Sequence, residues 1–146
     1  MIRITTLLGM ALLAATATAG DFSEEAKQEL AKLAGTWRVV SSERDGKLEA
    51  NPPEPVIVQV KNEQLWLGER NVGLCIAAIF PAASPRLLDI SHAETKKKFE
   101  GIYELTDDQW RICLNTEGEG AQERPTDFAT QGKSKFITVV LKRDKR

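Results

Sequence analysis

The stretch Ala34-Gly35-Thr36-Trp37-Arg38-Val39-Val40 stands where a helical pattern gives way to a strand pattern. On its N-terminal side Phe22, Ala26, Leu30 and Leu33 recur at helical spacing over Asp21 to Leu33. Asp21 is placed to cap that helix, with Glu24 three residues on to complete a capping box, and Gly35 stops it. From Thr36 to Glu43 the residues Trp37, Val39 and Ser41 alternate with Thr36, Arg38 and Val40, the period of a strand with one face turned inward.

Strands continue downstream. Asp45-Gly46 signals a turn, and the prolines at 52, 53 and 55 predict a loop over Leu48 to Pro55 that donates few sheet hydrogen bonds. Val56 to Lys61 and Gln64 to Leu67 form a hairpin about Asn62-Glu63, which sets Val60 opposite Leu65, Val58 opposite Leu67 and Gln59 opposite Trp66. Trp66 therefore lies on the outer face, covered by the helix or offered to a partner. Val72 to Phe80, Leu87 to Ser91, the pair Phe99 to Leu105 and Gln109 to Leu114, and Lys135 to Arg143 complete the pattern. Short strands punctuated by turns after one helix predict an all-β domain, and about eight strands favour a closed antiparallel barrel.

The chain has 146 residues, a length that fits one domain over 20–146. Residues 1–19 read as an export signal: Met1-Ile2-Arg3, an apolar run from Ile4 to Ala15, and Ala17-Thr18-Ala19 before the cleavage point. Cleavage would leave a net charge of about −2 and no membrane span. That balance excludes a typical nucleic-acid binder. The basic runs Lys96-Lys97-Lys98 and Lys142 to Arg146 read as solvated surface, with anion or cell-surface binding as the alternative.

Export would expose Cys75 and Cys113 to oxidising conditions. A bridge between them would have to cross the barrel, whereas the alternation of Trp110, Ile112 and Leu114 against Arg111 and Cys113 turns Cys113 to the outer face; disulfide and two buried thiols both stay open. No metal site is expected, because His92 is the single histidine and its neighbours Asp89 and Glu94 make a poor zinc set. No cofactor and no catalytic constellation is evident: there is no phosphate-cradling glycine loop, and Asp107-Asp108 sit in a predicted turn.

Gly35-Thr36-Trp37 matches the G-x-W that opens the first strand of lipocalins. Further on, Pro85 to Asp89, Gly101-Ile102-Tyr103-Glu104-Leu105, Trp110 to Leu114, Glu123-Arg124-Pro125-Thr126-Asp127-Phe128 and the closing Arg143 resemble a family of small exported, lipocalin-like domains expanded in planctomycete bacteria, a family with no established function. The stretch Leu74 to Ala83 is more apolar than that pattern. The resemblance covers residues 34–143 and implies a lipocalin-like barrel in which Gly35 and Trp37 close one end and Arg143 lies over the Trp37 ring, a contact worth roughly 1 kcal/mol or more. The plainer reading makes Trp37 a core aromatic and Arg143 a solvated tail residue.

Within such a barrel, alternation assigns Val39, Val58, Leu67, Tyr103, Ile112 and Val139 to the lining, where a small apolar or amphipathic molecule could bind. A filled barrel that contacts another exported protein, as an interaction or inhibitor module, is the alternative. Arg124 is expected to pair with Asp89 or Glu104 and so pin the Arg124 to Phe128 loop over the barrel mouth; otherwise it reads an anionic ligand group.

Overall fold

A computed structural model describes residues 22–117 and 123–144. The export signal over 1–19, the cap assigned to Asp21 and the end of the basic tail lie outside the described residues. The helix α1 (Glu24–Leu33) is capped by Ser23, whose hydroxyl accepts the Ala26 N–H at 3.1 Å. Glu24 and Glu25 in its first turn and Lys32 in its last complement the helix dipole.

Nine strands follow among the described residues: β1 (Gly35–Arg44), β2 (Lys47–Ala50), β3 (Ile57–Lys61), β4 (Gln64–Leu67), β5 (Arg70–Phe80), β6 (Arg86–His92), β7 (Lys98–Leu105), β8 (Gln109–Asn115) and β9 (Phe136–Arg143). Each pairs antiparallel with the next around the ring β1-β3-β4-β5-β6-β7-β8-β9, and β9 pairs back onto β1. This is a closed eight-stranded antiparallel barrel with one extra strand, the all-β lipocalin-like architecture expected. The β3–β4 register has Val58 opposite Leu67, Gln59 opposite Trp66 and Val60 opposite Leu65.

The extra strand corrects the expected loop. Asp45 and Gly46 both take positive φ, 51° and 75°, the backbone of a two-residue hairpin turn, so Lys47 to Ala50 folds back along β1. Only then does the proline segment leave the sheet. Val39 N–H donates to Val56 O at 2.9 Å and Asn51 N–H to Val40 O at 2.8 Å, so β2 and β3 line the same edge of β1, one beyond the other.

The helix closes the end of the barrel where β1 begins. Ala26, Leu30 and Leu33 share one buried core with Trp37, Val60, Leu65, Ile76, Ile79, Leu88, Tyr103, Trp110 and Leu141. Trp66 is not part of it: the Lys61 ammonium lies over its ring at 4.0 Å, so the cover comes from a neighbouring lysine rather than from the helix. A second core, Ile102, Cys113 and Phe136 with Leu87 and Phe128, lies on the outer wall. Residues 123–135 return across that wall and shield it.

Bulges explain where simple alternation fails. Val39 pairs with Leu141 but Ser41 with Val140, so the extra residue Val40 turns Ser42, opposite Val139, inward in place of Ser41. Similar shifts occur between Leu65 and Trp66 and between Ile76 and Ala78.

Candidate functional site

At the helix end, side chains lock together. The Trp37 indole N–H donates to Leu33 O at 2.8 Å, and its ring packs on Trp110 with centroids 5.7 Å apart. Arg143, directly opposite Trp37 in the β1–β9 register, holds its guanidinium 4.2 Å from the Trp37 ring. The same guanidinium donates to Ala34 O at 3.1 Å and Lys32 O at 2.7 Å, which satisfies carbonyls at the helix C-terminus. Gly35, at φ 120°, sits beneath it, and a Cβ there would come within 3.3 Å of the Arg143 nitrogen. The closure residues Gly35, Trp37 and Arg143 thus form one constellation.

Glu29 belongs to the same end and was not anticipated. It falls on the buried side of α1 between Ala26 and Leu33, is 3% exposed, and accepts the Tyr103 hydroxyl at 2.5 Å. Arg86 and Lys32 stand 3.5 and 3.7 Å from its carboxylate oxygens. Burial, and then the hydrogen bond to the carboxylate, push the Tyr103 phenol far above its usual range. Tyr103, assigned to the lining, therefore hangs at the closed end with its hydroxyl committed to the helix. A depression of about 280 Å³ lies beside this group, lined by Glu29, Lys32, Arg86, Leu105, Thr106, Asp107 and Arg143. Its cations already face Glu29 or backbone carbonyls, so it reads as a structural junction.

The opposite end is built differently. Val39, Val58 and Val139 face inward there with Leu74, Phe99 and Leu114, all packed on the core yet only half-buried. Ile112 lies deeper and is buried, while Leu67, opposite Val58, stands at the rim and is 44% exposed. The structure thus brings Val39, Val58, Ile112 and Val139 to one interior region, with Leu67 at its rim and Tyr103 committed to the closed end. Leu114 is on the inner face that its alternation with Cys113 predicts, whereas Leu74 and Phe99 escaped sequence reading because the bulges in β5 and the glycine in β7 obscure the period; at Gly101 a Cβ would meet Cys113 O at 2.4 Å and Leu114 Cδ2 at 2.5 Å, so the missing side chain makes room for Leu114.

Arg124 pairs with Asp89 at 2.8 Å and donates to Gly101 O at 2.7 Å, with Lys98 3.5 Å from the other Asp89 oxygen. Glu104 is not its acceptor; it takes Arg111 instead, at 2.7 Å. The pinned segment crosses the outer wall and not the mouth, a correction that follows from Asp89, Ile102 and Cys113 all projecting outward. Phe128 lies under the Arg111 guanidinium, Thr130 donates to Glu43 at 2.8 Å, and Thr138 donates to Phe128 O at 2.7 Å.

Both cysteines are free. Cys113 is fully buried beneath that segment, and burial pushes its thiol up, which disfavours the thiolate. Cys75 faces Ser91 Oγ at 3.2 Å. His92 Nδ1 accepts the backbone N–H groups of Glu94 and Thr95 at 3.3 Å each, and so shapes the β6–β7 turn. Among the described residues no group of three metal-ligating side chains converges, and no helix is long and apolar enough to cross a membrane. No protein-family model matches the chain, and neither a curated protein nor a solved structure matches it.

Proposed function

We propose that this chain is an exported, lipocalin-like binding protein, without catalytic activity, that holds a small apolar or amphipathic molecule at its open end. One observation carries the reading: burial falls along the barrel axis, from Trp37, Leu33 and Tyr103 with no exposure to the half-buried ring of Val39, Val58, Leu74, Phe99, Leu114 and Val139. Apolar side chains left partly open inside a concave wall are the usual lining of a small-molecule site. The export signal read in residues 1–19 and the resemblance to exported lipocalin-like domains support the compartment.

Native mass spectrometry of protein from its exported fraction, beside a denatured spectrum, tests this. A bound mass that is lost on denaturation, and that fails to appear with Leu67→Arg, is the expected result. A bare polypeptide that gains nothing from a lipid and small-molecule panel would overturn it. The second reading, a filled barrel acting on another exported protein, would then lead. It draws on the apolar depression of about 430 Å³ beside Phe80, which is 49% exposed among Ile79, Pro81, Ala82, Ala83 and Leu87.

A further inference from the structure

The barrel is closed, yet β2 stands outside the ring and, among the described residues, pairs with β1 alone. All four of its residues are exposed, and Leu48, at 66%, is the most open of the exposed large apolar side chains. Arg44 and Lys47 flank a two-residue turn and therefore form a hydrogen-bonded pair, as Ser42 and Glu49 then do. The Asn51 N–H to Val40 O bond continues the same alternation. It follows that the N–H and C=O groups of Leu48 and Ala50 point away from β1, toward the free edge.

We propose that this edge pairs with β2 of a second copy of the chain, antiparallel and centred on Leu48. In that register Leu48 exchanges both backbone hydrogen bonds with Leu48 of the partner subunit, and the two side chains meet on the outer face. Lys47 stands opposite Glu49 of the partner subunit and Glu49 opposite Lys47 of the partner subunit. The edge is thus self-complementary in charge as well as in hydrogen bonding, as a two-fold contact requires. The neighbouring register, centred on Glu49, would set two glutamates face to face at the closest cross-strand spacing, and like charges there are unfavourable. Pro52, Pro53 and Pro55 follow at once and limit the pairing to this short segment. A four-residue edge buries little surface, so association is weak, with Kd on the order of 0.1–1 mM.

Sedimentation equilibrium from about 10 μM to about 1 mM tests the contact. Wild type should shift from monomer to dimer over this range. Lys47→Glu alone and Glu49→Lys alone should each weaken association about tenfold, because both symmetric pairs become repulsive. Mixed in equal amounts, the two variants should associate with each other as wild type does, since Glu at 47 and Glu49 of one chain then face Lys at 49 and Lys47 of the other. Unchanged thermal melts confirm that the barrel is intact, as expected for exposed positions. A monomer at every concentration, single variants that dimerise like wild type, or a mixture that stays monomeric would each overturn the proposal.

Discussion

The two ends of this barrel are made from the same strands and differ in how their side chains are finished. At the helix end, Trp37 is held by Leu33 O, faced by Arg143 and packed on Trp110, while Glu29 ties the helix to Tyr103. At the other end Val39, Val58, Phe99 and Val139 have no such cover among the described residues. Fold stability thus concentrates at one end, and the other keeps apolar surface that a ligand could bury. The difference lies in what is added to the strands, not in the strands themselves.

Truncation tests that contrast most directly. Trp37→Ala should cost about 3–5 kcal/mol in urea unfolding, against about 1 kcal/mol for Val139→Ala. Equal losses would mean that the open end is packed core, and the contrast would vanish. Arg124→Ala should cost about 3 kcal/mol, because it strips the main partner from buried Asp89; a loss no larger than that of a surface residue would show that the outer wall does not depend on this pair.

The helix end also has a pH signature. The phenol of Tyr103 is raised in the folded state, so its contribution is fully present below the unfolded value near 10 and is lost as pH climbs above it. Stability should fall by roughly 1 kcal/mol or more per pH unit above about 10. Tyr103 is the single tyrosine, so tyrosinate absorbance reports it alone, and it should appear only as the protein unfolds. Ordinary titration in the folded state would show that the helix end is looser than its geometry. Arg143→Ala is the mildest change at the helix end, about 1–2 kcal/mol and a midpoint lower by several degrees. An unchanged midpoint would leave closure to Trp37 alone.

Much of the ring could be read from residue order because its signals are local. The β3–β4 hairpin follows from two apolar alternations and a short turn, and the outward turn of Cys113 from its neighbours Ile112 and Leu114. Bulges were not legible, since one extra residue such as Val40 reverses the phase without any marker. Nor was the outer layer. Alternation with Tyr103 turns Ile102 outward, but nothing local says that Ile102 and Phe136 are covered there by residues 123–135. Glu29 left a faint trace, a charge within the apolar stripe of α1, but its partner Tyr103 lies far along the chain. For the candidate site, period placed Val58 and Val139 on the inner face, while openness depends on there being no second cap among the described residues, which no short stretch of sequence encodes.

The proline excursion between β2 and β3 has a practical consequence. The chain leaves the sheet at Asn51 and rejoins it at Val56, and both points are pinned to consecutive residues of β1. A segment whose ends are already held together can be lengthened at little entropic cost, each doubling adding only about 0.6 kcal/mol. Foreign peptides grafted between Pro52 and Pro55 would be displayed on a scaffold whose register they do not touch, which makes this loop the natural place to insert a tag or an epitope.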